Sequence, residues 1–378
     1  MLPNHGCLSK SVIKGLLIVI CVLLIAGSPG VGNAVAISAQ TAALVDVESG
    51  RVLYTKNERQ QMKIASLTKI MTAIVAIENA DLNSIVKTSN KASGVEGSSI
   101  YLKVDEKMKL HDMLYGLMLR SGNDAATAIA EHVSGSMEDF VVKMNEKAVE
   151  IGMTNTKFTN PHGLDWGEGN YSTAADMGTL LAYCLRNPVF KEIVSTKVKK
   201  VPWDGEEYDR IFYNKNKMLN LYPGGDGVKT GYTVRAGRCL ASSASRDNWQ
   251  LATIVLNAPD WWRDSSNLLD YGFTTYKREP VLQINKPLQK VSVKKGKEDN
   301  IHVVATKEIF YPVTEEEKDQ FSYEWKIPES VKAPIKKDQQ IGNVVVSFQE
   351  EIIAIIPLYS DREVEKKSLF ERFLGIFR

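Results

Sequence analysis

Three short strings stand in a fixed order along the chain: Ser66-Leu67-Thr68-Lys69, Ser121-Gly122-Asn123 and Lys229-Thr230-Gly231. Together they hold a hydroxyl nucleophile, an amine able to deprotonate it, a polar relay and a cationic strand able to receive a carboxylate, which is the inventory of an acyl-transfer site. A fold that uses them together has to bring a helix start, a turn and a strand to one point. Single strings carry little weight: Ser-x-x-Lys also occurs at Ser11 to Lys14 and Ser292 to Lys295, and Ser-x-Asn at Ser265 to Asn267. Lys-Thr-Gly occurs once, and only Ser66, Ser121 and Lys229 form an ordered trio in contexts that suit the chemistry.

The local patterns place each string. Ala42 to Val47 and Arg51 to Tyr54 flank Glu48-Ser49-Gly50 and read as a hairpin. Ser66 then starts a helix whose buried stripe is Leu67, Ile70, Met71, Ile74, Val75 and Ile77. Residues three apart on a helix share a face, with Cβ atoms about 5–6 Å apart, so the Lys69 amine falls within reach of the Ser66 hydroxyl. Ser121-Gly122-Asn123 lies between helical patterns at Leu110–Leu119 and Asp124–Val133. It is expected to form a connecting turn that Gly122 permits, with capping of the second helix by Ser121 or Asn123 as the purely structural alternative. Further helices are expected over Met137–Ile151, capped by Ser136, and Ala174–Leu185, capped by Ser172 or Thr173. Strands at Val228–Thr233, Arg238–Ser243 and Gln250–Leu256 read as an antiparallel meander. Lys229-Thr230-Gly231 would occupy a sheet edge beside the Ser66 helix, where a side chain at Gly231 would obstruct a substrate backbone.

These residues resemble the penicillin-interacting serine enzymes, the D-alanyl-D-alanine peptidases and class A β-lactamases. The stretch Asn160-Pro161-His162-Gly163-Leu164-Asp165 and the middle Gly122 are similar to the low-molecular-mass carboxypeptidases, while the Glu-x-x-Leu-Asn string of class A β-lactamases does not occur between Asn123 and Lys229. The resemblance covers about residues 40 to 276 and, more loosely, the remainder. Its wording is closest to the branch that trims wall or spore-cortex peptidoglycan.

The resemblance implies an α/β fold: a β-lactamase/transpeptidase-like domain, with an antiparallel sheet flanked by helices, followed by a small all-β domain and a C-terminal amphipathic helix. It implies Ser66 as nucleophile, Lys69 as base, which burial and the Lys229 charge would render neutral, and Ser121 as relay to the leaving amine. Asn123 would hold the acyl-side amide. Lys229 and Thr230, on the strand with Gly231, would receive the terminal carboxylate, and the backbone N–H groups of Ser66 and Tyr232 would form the oxyanion hole. Arg263 lies where the family carries a second carboxylate-binding arginine, and Lys215 and Asn216 match a segment bordering the site. The implied activity is removal of the terminal D-alanine from peptidoglycan stem peptides, blocked by β-lactams through a stable acyl-enzyme. A β-lactamase and a catalytically weak, membrane-tethered wall-binding protein are the alternatives.

Composition and flanking segments frame this reading. The 378 residues are 44% hydrophobic and 24% charged, enough for more than one domain, and a net charge of +2 gives no reason to expect a nucleic-acid partner. Residues 1–36 read as an export signal: Lys10 and Lys14, the apolar run Gly15 to Ala26, a break at Ser28-Pro29-Gly30, and small residues at Ala34-Val35-Ala36. The run is shorter than the roughly 20 residues a spanning anchor requires. Cys184 and Cys239 survive cleavage, and two buried free thiols are expected ahead of a single bridge. The five histidines form no zinc motif, so neither a metal nor another cofactor is expected. The carboxypeptidase domain is expected over 37–276 and a β-rich domain, acting as a spacer, over 277–360. An amphipathic helix is expected over 361–378, where Leu369, Phe370, Phe373, Leu374 and Phe377 share a face that suits a membrane surface. The protein is therefore expected at the outer face of the cytoplasmic membrane.

Overall fold

Strand β1 (Thr41–Asp46) is buried along its whole length, which requires cover on both faces of its sheet. It pairs with β2 (Val52–Lys56) as the expected hairpin and lies inside a five-stranded antiparallel sheet. The order is β2-β1-β5-β4-β3, with β3 Gly225–Thr233, β4 Gly237–Arg246 and β5 Trp249–Leu256. The computed structural model describes residues 35–368. All of the expected signal except its last two residues, and the apolar positions from Leu369 onward, lie outside the described residues.

The cover comes from helices packed almost in backbone contact. Helix α1 (Thr68–Asn79) follows a 3-10 turn at Ala65–Leu67, and α2 (Asn123–Ser134), α3 (Met137–Glu150), α4 (Ala174–Leu185) and α5 (Pro188–Ser195) build the rest of the helical layer. Helix α6 (Trp261–Thr275) covers the other face. A Cβ added to Gly178 of α4 would meet Val45 at 2.9 Å, and one added to Gly272 of α6 would meet Leu251 at 2.6 Å and Leu44 at 2.8 Å. Alternate β1 side chains thus enter opposite layers. Ser136 and Thr173 cap α3 and α4 through hydrogen bonds to the backbone N–H of Asp139 and Asp176.

Helix α1 is the centre of the helical layer. Every residue from Thr68 to Ala76 is buried, so the helix is enclosed on all sides and not on one stripe alone. Strand β3 is the sheet edge nearest its start, pairing only with β4 through Lys229↔Ala241 and Gly231↔Cys239. The thiols of Cys184 and Cys239 are both buried and free.

Beyond α6, a strand starts at Lys277 and pairs with Ile309–Val313. A six-stranded sheet follows, built from β6 (Gln289–Lys294), β7 (Asn300–Ala305), β8 (Phe321–Lys326), β9 (Ser330–Lys332), β10 (Gln340–Phe348) and β11 (Glu351–Ser360) in the order β8-β10-β11-β7-β6-β9. Its core is Val291, Ile301, Val303, Val344, Val346, Ile356 and Leu358, the alternation visible in the sequence. The expected helix over 361–378 does not begin at 361. Val364 is buried and bridges to Ile335, and Lys366 bridges to Gly296, so the chain is still extended there. The apolar side chain of Val364 enters the β-domain core, and that packing holds the segment extended.

The β1–β2 turn is fastened to the β-rich part by two arginines, of which Arg51 makes the larger set of contacts. Arg51 donates to both carboxylate oxygens of Glu317, at 3.0 and 2.6 Å, and to the carbonyl of Pro312. Its guanidinium also lies 4.6 Å from the ring centre of Phe348, 5.3 Å from Tyr311 and 5.5 Å from Tyr276. Arg278 adds a second tie to Glu48. A bidentate, partly buried pair of this kind is geometrically specific. Arg51→Ala is expected to loosen the two parts and raise protease cleavage around 276–280 about tenfold, with the chemistry at Ser66 unchanged; limited proteolysis checks this, and unaltered cleavage would show that the clamp is dispensable.

Candidate active site

The three strings meet at the N-terminal end of α1. Ser66 sits in the 3-10 turn, directly after Ala65, whose φ of +46° is in the left-handed region. Such a conformation persists in a non-glycine residue only where its surroundings enforce it. Here the enforcing groups are Gly163 and Gly231. A Cβ at Gly163 would lie 2.0 Å from the Ala65 carbonyl oxygen, and one at Gly231 would lie 3.1 Å from both Ile64 O and Ser66 N. Gly231 therefore serves a purpose other than the expected one: its bare face is turned to the backbone that carries the nucleophile.

Lys69 is fully buried, and its Nζ donates to Ser66 Oγ at 3.2 Å, Asn123 Oδ1 at 2.7 Å and the carbonyl oxygen of His162. Burial pushes its pKa well below the ordinary lysine range, and the positive charge of Lys229 adds to this, while Asp124 opposes it. Lys229 is buried as well and donates to the Thr230 carbonyl at 2.8 Å; burial, then the charge of Lys215, lowers it to about 7. Lys215, anchored by its backbone N–H to Leu119 O, is itself lowered by burial and by Arg120. The centre thus holds three amines that repel one another's protons.

The second string differs from expectation in its details. Ser121, not Gly122, has the left-handed backbone, with φ +66°, at the end of a π-helical turn over Gly116–Arg120. Gly122 is needed for space, since a Cβ there would meet Asp124 Oδ1 at 2.7 Å. Neither Ser121 nor Asn123 caps α2; its N-cap is Gly122 and no side chain caps it. Asn123 Oδ1 instead accepts from Lys69 Nζ, and its Nδ2 donates to the Glu96 carbonyl at 2.6 Å. An acyl-side amide could engage Asn123 only by displacing one of these partners. Thr230 is half-buried and Tyr232 exposed on the open edge of β3. Arg263 is exposed in the first turn of α6 and makes no side-chain hydrogen bond to the other site residues among the described residues. Asn216 turns inward as a structural residue, its Oδ1 accepting from Met218 N.

The sequence reading missed the lid of the amine pocket. Residues 159–164 lie across the start of α1, where Thr72 Oγ1 donates to the Pro161 carbonyl at 2.6 Å and Lys69 to that of His162. Asn170 Oδ1 accepts from Thr159 and Asn160, and its Nδ2 donates to Thr68 Oγ1 at 2.8 Å. The His162 ring accepts from Leu164 N at 3.1 Å and packs edge-on against Trp166. Burial and the Lys69 charge hold His162 at about 3, so it stays neutral. The only sequence signal for this lid is Asn160-Pro161-His162-Gly163 itself, whose partners are distant in the chain.

Two outcomes follow from this geometry. Gly231→Ala should displace the Ser66 turn by a few tenths of an ångström and slow acylation about 100-fold, the scale on which misplaced reacting groups act; stopped-flow acylation with the fold monitored by circular dichroism tests it. Lys229→Gln removes a positive charge, so the Lys69 pKa should rise and the limb of acylation that climbs with pH should move up by about one unit. A neutral sulfonyl fluoride, which needs no carboxylate contact, is the suitable probe, and an unmoved profile would show the amines do not interact.

The family model described as D-alanyl-D-alanine carboxypeptidase matches residues 29–260, and the model described as Penicillin-binding protein 5, C-terminal domain matches residues 276–366. The D-alanyl-D-alanine carboxypeptidase DacF of Bacillus subtilis is 36% identical over 347 residues, spanning 89% of this chain and 88% of its own. Among solved structures, penicillin binding protein 5 from Haemophilus influenzae shares 30% identity at a TM-score of 0.68, covering 88% of this chain and 98% of its own. The peptidoglycan synthesis regulatory factor (PBP3) from Streptococcus pneumoniae shares 25% at a TM-score of 0.74, covering 87% and 100%.

Proposed function

The chain belongs to the D-alanyl-D-alanine carboxypeptidase family and is a serine hydrolase of it, and from that premise we propose how its residues divide the reaction. Ser66 attacks the carbonyl between the two terminal D-alanines of a peptidoglycan stem peptide. Lys69 takes the hydroxyl proton, Ser121 passes a proton to the departing D-alanine nitrogen, and the acyl-enzyme on Ser66 is hydrolysed by water. The backbone N–H groups of Ser66 and Tyr232 face the developing oxyanion. Lys229 and Thr230 receive the terminal carboxylate, with Arg263 as a second, more exposed cation. Asn123 exchanges its Glu96 contact for the acyl-side amide.

The observation that carries this reading is the fully buried Lys69 amine 3.2 Å from Ser66 Oγ. Only an amine freed of its proton can act as a base, and burial favours that state. Penicillins, which mimic the D-alanyl-D-alanine end, acylate the same serine. The lid argues against a β-lactamase: the group facing Lys69 from residues 160–164 is the carbonyl of His162, which cannot activate a water as a carboxylate does.

The domain plan belongs to the same proposal. Residues 1–36 direct export, 37–276 carry catalysis, and 277–360 hold the enzyme off the membrane as a spacer locked by Arg51. The apolar face of the last residues, from Leu369 onward, attaches to the outer leaflet. The wording of the motif neighbourhoods supports a role in the branch that trims wall or spore-cortex peptidoglycan.

Mass spectrometry of the enzyme with benzylpenicillin is expected to show a long-lived adduct on the Ser66 peptide, absent in Ser66→Ala. Lys69→Arg should fold normally and lose acylation at least about 1000-fold, because a guanidinium keeps its proton at working pH. Rapid turnover of penicillin with only a transient adduct would indicate a β-lactamase, and neither adduct nor hydrolysis a binding protein.

A further inference from the structure

Arg120 immediately precedes Ser121, is half-buried, and has no hydrogen-bond or ion-pair partner for its guanidinium among the described residues. Its nearest influence is repulsive, since its charge lowers Lys215. A half-buried guanidinium with no partner, beside a second cation in Lys215, favours an anion that completes it. The carboxylates that could have done so are committed elsewhere. Asp124 accepts from Ser99 Oγ and from the N–H groups of Ile100 and Leu102, and Glu106 is bound by Arg210 in a buried pair at 2.7 Å.

Arg120 opens into a pocket of about 280 Å³ that also takes in Tyr101, Trp203, Asp209, Arg210 and Tyr213. The unpartnered buried polar atoms on its lining residues are of one kind. Arg210 Nε and Trp203 Nε1 are buried without partners, and both are donors. Arg210 is stacked 4.2 Å from the Trp203 ring, so the floor is stiff. Tyr101 and Tyr213, 77% and 58% exposed, form apolar walls. Asp209 is the one carboxylate of the lining, and being exposed at the rim it is screened far more than half-buried Arg120. A ligand suited to this pocket brings acceptors and negative charge.

We propose that this pocket is a subsite for a carboxylate borne on the acyl side of the peptide substrate, several bonds from the one that breaks, with Arg120 as its anchor. The inference rests on the proposed function, because Ser99 of the pocket lining follows Ser98, whose carbonyl accepts from the backbone N–H of Asn123 at 2.6 Å, and Asn123 is the residue assigned to the acyl-side amide. It deepens that function by giving the enzyme a preference among stem peptides. Those whose γ-linked glutamate keeps a free α-carboxylate are held, and those amidated there are not.

Calorimetric binding to Ser66→Ala separates this from catalysis. The pentapeptide L-Ala-γ-D-Glu-L-Lys-D-Ala-D-Ala should bind about tenfold tighter than the same peptide amidated at the glutamate, the scale of one charge-assisted pair in a half-buried site. In Ser66→Ala/Arg120→Gln the two peptides should bind within about twofold of each other. Tyr213→Glu, an exposed substitution that leaves Arg120 in place, should weaken the acidic peptide selectively by repulsion. Equal binding of both peptides to Ser66→Ala, or a preference that survives Arg120→Gln, would overturn the subsite. If neither peptide binds at millimolar concentration while benzylpenicillin still acylates the parent enzyme, the subsite falls and the catalytic reading stands; if penicillin also fails, the catalytic reading falls with it.

Discussion

The structure depends on keeping one lysine amine away from water. Lys69 can act as a base only if its proton is made unstable, and the means available to a protein are burial and nearby positive charge. Both are expensive in folding terms, and the architecture is arranged to sustain them. Helix α1 is enclosed on every side, its polar residues Thr68, Lys69 and Thr72 all find partners, and the lid supplies carbonyl oxygens to two of them. A neutral amine is satisfied by such acceptors, whereas a carboxylate in the same place would restore the proton.

Strain and close packing express the same constraint at the backbone. Ala65 and Ser121 both adopt left-handed conformations, one before the nucleophile and one at the relay. Gly163 and Gly231 press on the Ser66 turn from two sides, leaving it no room to relax. The turn is therefore placed by a loop and a strand that lie far from it in sequence. Preorganisation of this kind costs stability and is returned as rate, because nothing has to move when the acyl group arrives.

Local pattern and distant contact account for what could be read from the sequence. The β1–β2 hairpin, the helix that follows Ser66 (beginning at Thr68, two residues later than expected), the caps Ser136 and Thr173, and the meander ending at Leu256 rest on near-neighbour physics, and each was legible. So was the meeting of Ser66, Lys69 and Lys229, through the family resemblance. The partners of Thr72, Asn170 and Asn123 were not, because a side chain's choice among distant carbonyls leaves no periodic trace. Arg51 reads as an ordinary turn residue until Glu317 and three aromatic rings surround it. Gly122 and Gly231 matter for neighbours that the local sequence does not show: a Cβ at Gly122 would meet the Asp124 side chain, and one at Gly231 the backbone of Ile64 and Ser66 rather than a substrate. The helix expected over 361–378 does not cover 361–367, because Val364 is taken into the β-domain core and bridges to Ile335 instead.

The most direct test of the account is the titration of the Lys69 amine itself. Protein carrying 13C-labelled lysine, with Lys69→Met to assign the resonance, would be followed by NMR between pH 5 and 11 (a range of about six units spanning the ordinary lysine value). The account predicts a Lys69 transition well below that of the exposed lysines, with the amine already neutral where the enzyme is acylated. A Lys69 resonance that titrates with the exposed lysines would contradict it, since a protonated Lys69 could not take the proton from Ser66.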